Sequence, residues 1–408
     1  MDRTKRTLWI AGPLVCGGLV LALGCGSRTG LDDTGGGLGG SSASSSGSGG
    51  SGGSSGAGSG SGSSGSGSGG GSSGSGTPDS GPCGPAQSLC GGVCVDEQTD
   101  PNNCGGCGVT CSGTCTGGRC LFTLAYGANG SVAYIAVDAT SLYWTDGADP
   151  GNVTKMGLSG GSQTTLASGT HGPGFIAVNA TSVYWTDIGN NATMGGDVAT
   201  VPLTGGSTTQ LVSNLNRPAA IALDATSVYW ADGGGAIMRM PLGGGAPALV
   251  AGPGLGDPRG IAVDATSVYW TDHALRNVMK VPLGGGTPTT LASSKQFDPM
   301  LIAVDATSVY WTNYSGGTVM KVPLAGGTPT TIASGQAGAD GIAVDATSVY
   351  WATSVNDTVM KAPLGGGAVT TLASGQLGAT SIVVDAASVY WTNGGNGNGG
   401  TVMRLTPK

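Results

Sequence analysis

Beyond residue 120 the chain consists of short apolar runs separated by turn-forming residues, and the runs recur. In one stretch, Ile-Ala-Val at 261–263 is a brief apolar run, and Ser-Val-Tyr-Trp-Thr at 267–271 is rich in β-branched and aromatic side chains. Residues 277–283 then alternate around Lys280, and residues 287–292 are Thr-rich with Pro288 near their start. Length and composition predict four short strands. The proline marks the fourth as an edge strand, because it cannot donate to a ladder. Asp-Ala-Thr at 264–266 and three glycines at 284–286 supply turn chemistry between the first and last pairs of strands.

The same phrase, with small variations, starts at Ile135, Ile176, Ile221, Ile261, Ile302, Ile342 and Ile382, so copies follow one another every 40 to 45 residues. Four strands per period, repeated radially, predict an all-β, seven-bladed β-propeller. A solenoid would instead leave open ends that need caps. The seventh copy runs out at 402–405, one strand short, while residues 121–127 match the missing fourth strand. Residues 121–126 are therefore expected to pair beside 402–405 and close the ring.

Within each copy the phrase Tyr-Trp-Thr-Asp resembles the YWTD repeat of low-density-lipoprotein-receptor propellers and, more broadly, YWTD-like and NHL-like repeat propellers. It is intact at Tyr143, Tyr184 and Tyr269, reads Tyr-Trp-Ala-Asp at Tyr229, and loses its acid to Asn313, Thr353 and Asn393 in the last three copies. The resemblance implies a propeller. Receptors of that family usually have six blades, so here the blade number rests on the copy count, and receptor function is not carried over.

Composition divides the chain upstream. Arg3, Lys5 and Arg6 precede an apolar stretch ending at Leu23, too short and glycine-interrupted to prefer spanning a bilayer, which marks an export signal. Leu21-Ala-Leu-Gly-Cys25 resembles a bacterial lipobox, which implies diacylglycerol on Cys25; Ala22 stands where that motif usually has Leu. The alternative is plain cleavage and a secreted or periplasmic protein. Much of the 82 Gly falls in a Gly/Ser run that cannot bury enough surface to order itself and is expected to be a flexible linker. The expected organisation is a signal peptide at 1–24, linker at 25–82, disulfide-rich module at 83–120 and propeller at 121–408. Glycine after Cys25 points to the outer membrane or cell surface, with the membrane reached through the lipid alone.

Eight cysteines, Cys83, Cys90, Cys94, Cys104, Cys107, Cys111, Cys115 and Cys120, crowd the third segment. In an exported segment too small for its own core they read as a disulfide framework, with 105 connectivities open to eight thiols. Cys104-Gly-Gly-Cys107 has zinc-ligand spacing, but no second such pair accompanies it. The run from Cys90 to Cys107 resembles the cysteine motif of the stigma-specific protein family, which implies an extracellular spacer or interaction knob and no chemistry.

Charge narrows the function. The net charge of −7 and the absence of a basic stripe argue against nucleic acid. Seven Trp and seven Tyr in register are expected core. Asp138, Asp224, Asp264, Asp305, Asp345 and Asp385, with Asn179, follow the first strand and are expected to hold Asx-type turns. Asp146, Asp187, Asp232 and Asp272 close the Tyr-Trp phrase. Lys155, Arg239, Lys280, Lys321, Lys361 and Arg404 share one register of the third strand and read as a solvated face. Groups repeated in nearly every blade are fold devices.

The residues outside these registers fall in the loops joining blade to blade or following the Tyr-Trp strand, which share one face in an up-and-down propeller. That face is the expected working surface. Its candidate binding residues are His171, Arg217, Asp257, Arg259, His273, Arg276, Asp298 and Asp340, with a protein or glycan as ligand and no cofactor, metal or catalytic residue assigned. The expected protein is a monomeric, non-catalytic envelope lipoprotein. A hydrolase or lyase at the channel mouth, using Asp257, Asp298, Asp340 and His171, is one alternative, and an envelope spacer without ligand another. The virginiamycin B lyase family, also seven-bladed, uses His and Glu there, and residues 121–408 contain no Glu.

Overall fold

The computed structural model describes residues 83–127, 131–189, 195–294, 298–394 and 399–408. Cys25, the signal segment, the linker and Lys295 lie outside the described residues. All regular elements described are strands. Seven sheets of antiparallel strands make seven blades, six of them built from four consecutive strands. Blade 4, for example, runs Pro258–Val263, Ser267–Asp272, Asn277–Pro282 and Thr289–Ser293 in that spatial order. The inner strand thus starts three residues earlier than its apolar run, with a bulge between Pro258 and Ile261. The outer strand starts after Pro288, which has no N–H to give.

The second strand of each blade explains the ring. Alternation sends Tyr and the following Trp to opposite faces, toward opposite neighbours. Tyr310 of blade 5 packs in one cluster with Trp351 of blade 6, and Tyr350 of blade 6 with Trp391 of blade 7. Tyr390 of blade 7 joins Trp144 of blade 1, so the seam is packed like every other interface. The seven tryptophans of the blades are almost fully buried. Polar bonds add to this. Thr145, Thr271 and Thr312 donate to main-chain carbonyls of the next blade's inner strand at Gly174, Met300 and Asp340, and Thr392 donates to Ala133 O just before that of blade 1.

The third-strand cations correct the sequence reading. They are half-buried and not a solvated face. Lys155, Arg239, Lys280, Lys321 and Arg404 each reach across to a carbonyl of the next blade, Leu203, Leu283, Leu324, Leu364 and Leu158, at 2.6–3.1 Å. A long stem with a charged donor spans the gap between blades where a short side chain would not.

The post-strand Asp residues hold turns as expected and do one thing more. In blade 4, Asp264 Oδ1 accepts the N–H groups of Thr266 and Ser267, while Oδ2 accepts the Tyr269 hydroxyl at 2.7 Å. Burial works against this carboxylate's charge, but those bonds outweigh it and hold its pKa below the ordinary value.

Closure follows the expected register. In the cysteine module, β1 (Ser88–Cys90) pairs with β2 (Val93–Val95), and β3 (Thr114–Thr116) pairs with β4 (Arg119–Tyr126). Further along, β4 is the outer strand of blade 7, with Val402 opposite Ala125 and Leu405 opposite Leu121. One strand therefore belongs to both parts. Disulfides join Cys83 to Cys94, Cys90 to Cys107, Cys104 to Cys115 and Cys111 to Cys120. The Cys-Gly-Gly-Cys thiols enter two different bridges, so the zinc reading of that pair is set aside.

Candidate binding face at the channel mouth

Seven isoleucines at the head of each phrase ring the axis. With the residues before them they line a cavity of about 120 Å³, well below the several hundred Å³ of a typical small-molecule site. The residue before each isoleucine breaks the symmetry: Tyr134, Phe175, Ala220, Gly260, Leu301, Gly341 and Ser381. Tyr134 and Phe175 stack with ring centroids 3.7 Å apart. Tyr134 also packs on both the blade 1–2 and the blade 2–4 clusters, so its ring lies over the channel. Gly260 and Gly341 stand where inner strands crowd: a Cβ would meet Met300 O at 2.8 Å in one case and collide with Thr380 O in the other.

One residue earlier stand Arg259 and Asp340. Both lie on the inner strands Pro258–Val263 and Ala339–Val344, not in loops as the sequence suggested, because those strands extend toward the mouth. Asp197 likewise lies on a strand, Gly196–Pro202. Arg259 Nε donates to Asp257 Oδ2 at 2.8 Å. Asp340 is 1% exposed, and its Oδ2 has no hydrogen-bond partner. Burial pushes its carboxyl up to about 7, with Arg259 pulling the other way. Burial, then Asp340, raises the Tyr134 hydroxyl well above its usual value, and Arg259 opposes both. Arg259 belongs to blade 4 and Tyr134 to blade 1, each two blades from Asp340, so this carboxylate is electrostatically linked to blades on both sides of its own.

His273 and Asp298 meet at the same end. Nδ1 of the imidazole is 3.0 Å from Asp298 Oδ1, and Ser315 N donates to Asp298 Oδ2 at 2.9 Å. Burial opposes the Asp298 charge, but Ser315, His273 and Arg276 together bring its pKa down. Arg276 is exposed and holds φ +59°, where the matching turn of blade 5 uses Gly317 at +56°. Asp257, Arg259, His273, Arg276, Asp298 and Asp340 are therefore one neighbourhood spanning blades 4 to 6. Arg217 is exposed with φ +52° after blade 2, and His171 sits apart with its Nδ1 3.0 Å from Asp149 Oδ1.

Blade 2 carries a second departure. Asp187 is directly opposite Asp197, whereas the corresponding acids or their substitutes elsewhere face Asn152, Ala236, Asn277, Thr318, Thr358 and Thr401. Burial, then the neighbouring Asp197, pushes Asp187 up to about 8; burial also raises Asp197, which accepts a 2.6 Å bond from Gln210. Asp187 is thus not the turn device that Asp146 is, whose carboxylate accepts the Asn152 N–H and side-chain amide.

No family model and no curated protein matches the sequence. Solved structures do. A streptogramin B lyase superposes with a TM-score of 0.60 at 11% identity, over 71% of this chain and 98% of that one. A catalytically inactive virginiamycin B lyase from Staphylococcus aureus, with quinupristin, gives 0.59 at 13%, over 71% and 99%. The computationally designed Ika8 protein gives 0.52 at 12%, over 69% and 98%. At these identities the likeness shows the propeller fold alone.

Sequence reasoning missed Tyr134 and the Asp187–Asp197 pair. The signal was present in both cases as a break in a column of the repeat, an aromatic ahead of isoleucine and an acid opposite an acid.

Proposed function

We propose that the protein is a non-catalytic cell-envelope lipoprotein, anchored through Cys25, whose propeller binds a protein or glycan at the variable-loop face. The observation that carries this reading is the convergence of repeat-breaking residues from blades 4 to 6 on one channel mouth, while the opposite face repeats the same Asp-held and glycine turns. The narrow cavity beneath favours a ligand that rests on the face. Four disulfides fit an exported chain. The cysteine module, which resembles the stigma-specific motif, then serves as a spacer at the propeller rim, and the Gly/Ser linker as a tether. Against a hydrolase or lyase stands the placement of His171 away from Asp257, Asp298 and Asp340. Among the described residues neither imidazole is hydrogen-bonded to a hydroxyl or thiol that it could activate.

The test is a glycan array, together with pull-downs against purified envelope proteins, using the full chain and a variant with Arg217, Arg259 and Arg276 changed to alanine. Binding by the parent that the triple variant loses supports the reading. Binding indifferent to all three arginines contradicts it.

A further inference from the structure

Resting on that reading of the face, we infer that the channel mouth around Asp340, Tyr134 and Arg259 is a site for the terminal residue of a neutral saccharide. Three observations define the ligand. First, Asp340 stands one residue before the channel-lining Gly341, is 1% exposed and has an unpartnered Oδ2, so the site lacks a hydrogen-bond donor at a buried acceptor. A buried carboxylate left unbonded is costly, and such a group persists where something else completes it.

Second, the charges around it nearly cancel. Arg259 is held by Asp257 at 2.8 Å, and Asp298 faces both His273 and Arg276. A strongly anionic ligand would meet Asp257, Asp298 and Asp340, and a cationic one would meet Arg259 and Arg276. A neutral, hydroxyl-rich ligand avoids both penalties. Hydroxyls donate and accept at once, which matches a carboxylate acceptor beside a guanidinium that only donates.

Third, the floor is aromatic. The partly buried ring of Tyr134, braced by Phe175 at 3.7 Å and lining the channel, offers its remaining apolar surface to the C–H face of a sugar ring beside the polar groups that would fix its hydroxyls. The cavity of about 120 Å³ beneath admits no chain of sugars, so recognition is confined to one terminal ring and the rest of the glycan lies across the face.

The experiment is saturation-transfer NMR and titration calorimetry on the full chain, with methyl glycosides of glucose, galactose, mannose and N-acetylglucosamine. Glucuronic acid and ethanolamine serve as the anionic and cationic probes. At least one neutral glycoside is expected to bind at millimolar concentration or better. Asp340→Ala should weaken it tenfold or more and Tyr134→Phe several-fold, with both variants keeping the parent's circular dichroism. Binding of no neutral glycoside overturns the inference, as does Asp340-dependent binding of ethanolamine or glucuronic acid in preference. If the array in turn shows macromolecular binding that Arg217→Ala and Arg276→Ala abolish but Asp340→Ala and Tyr134→Phe leave intact, the inference fails while the wider reading of the face stands.

Discussion

At the scale of single residues, the aspartates of this propeller fall into two groups with opposite pH behaviour. In Asp138, Asp224, Asp264, Asp305 and Asp345, burial opposes the charge, but hydrogen bonds from the following turn and tyrosine (joined in Asp345 by Lys408) lower the folded pKa. Below about pH 4 the unfolded chain takes up protons that the folded chain still excludes. Their stabilisation is therefore complete above that pH and drains away as pH falls through the folded values. Tyr269→Phe should cost about 1 kcal/mol and Asp264→Ala about 2–3 kcal/mol at pH 7, with the Asp264→Ala difference shrinking below pH 4 in chemical denaturation. Asp187 runs the other way. Its folded pKa of about 8 means that the folded chain holds the extra proton, so the penalty is absent near pH 4 and grows as pH rises to about 8. Asp187→Asn should then stabilise by on the order of 2 kcal/mol at pH 8 and leave stability at pH 4 unchanged. Calorimetric unfolding at the two pH values checks this, and destabilisation at both would contradict it.

At the scale of elements, the most exposed dependency is β4. It closes blade 7, enters the blade 7–1 cluster through Ala125, and carries Cys120 of the Cys111–Cys120 bridge. Ala125→Asp would place an unpaired charge beside Trp144 and Tyr390 and should cost 3 kcal/mol or more by roughly the penalty for burying such a group. Tyr126→Ala, one residue on but 68% exposed, should cost little. Hydrogen exchange should show the Ala125→Asp effect first in the Thr401–Thr406 strand. This element was legible in the sequence because a repeat that stops one strand short advertises its missing partner. The boundaries of the inner strands were not legible. Pro258, Pro299 and Ala339 extend them beyond the apolar run by a bulged register, and bulges depend on the neighbouring strand. The third-strand cations were misread for a related reason. Alternation reports which side of a sheet a residue takes, but not that another blade's carbonyl waits there.

At the scale of the whole molecule, the repeat accounts for architecture and its departures accounts for what is left. Tyr and Trp from adjacent blades share every interface, so Trp391→Ala should behave like any large core truncation, costing about 3–5 kcal/mol in denaturant unfolding. The mouth is different. Tyr134 packs against two core clusters, but Arg259 and Asp340 belong to none, and a buried carboxylate such as Asp340, raised to about 7, costs stability at neutral pH. A position that weakens the fold in this way is what the proposed binding role would explain. The candidate charged residues were legible because they broke register; their grouping was not, since which blades face each other across a ring is a property of closure. The most direct test is equilibrium binding on a glycan array by a chain in which Arg259 and Asp340 are both changed to alanine, the residue that blade 3 carries at the matching Ala219. The reverted chain is predicted to melt no lower than the parent at pH 7 and to lose the parent's glycan signal. A reverted chain that keeps that signal would contradict the account.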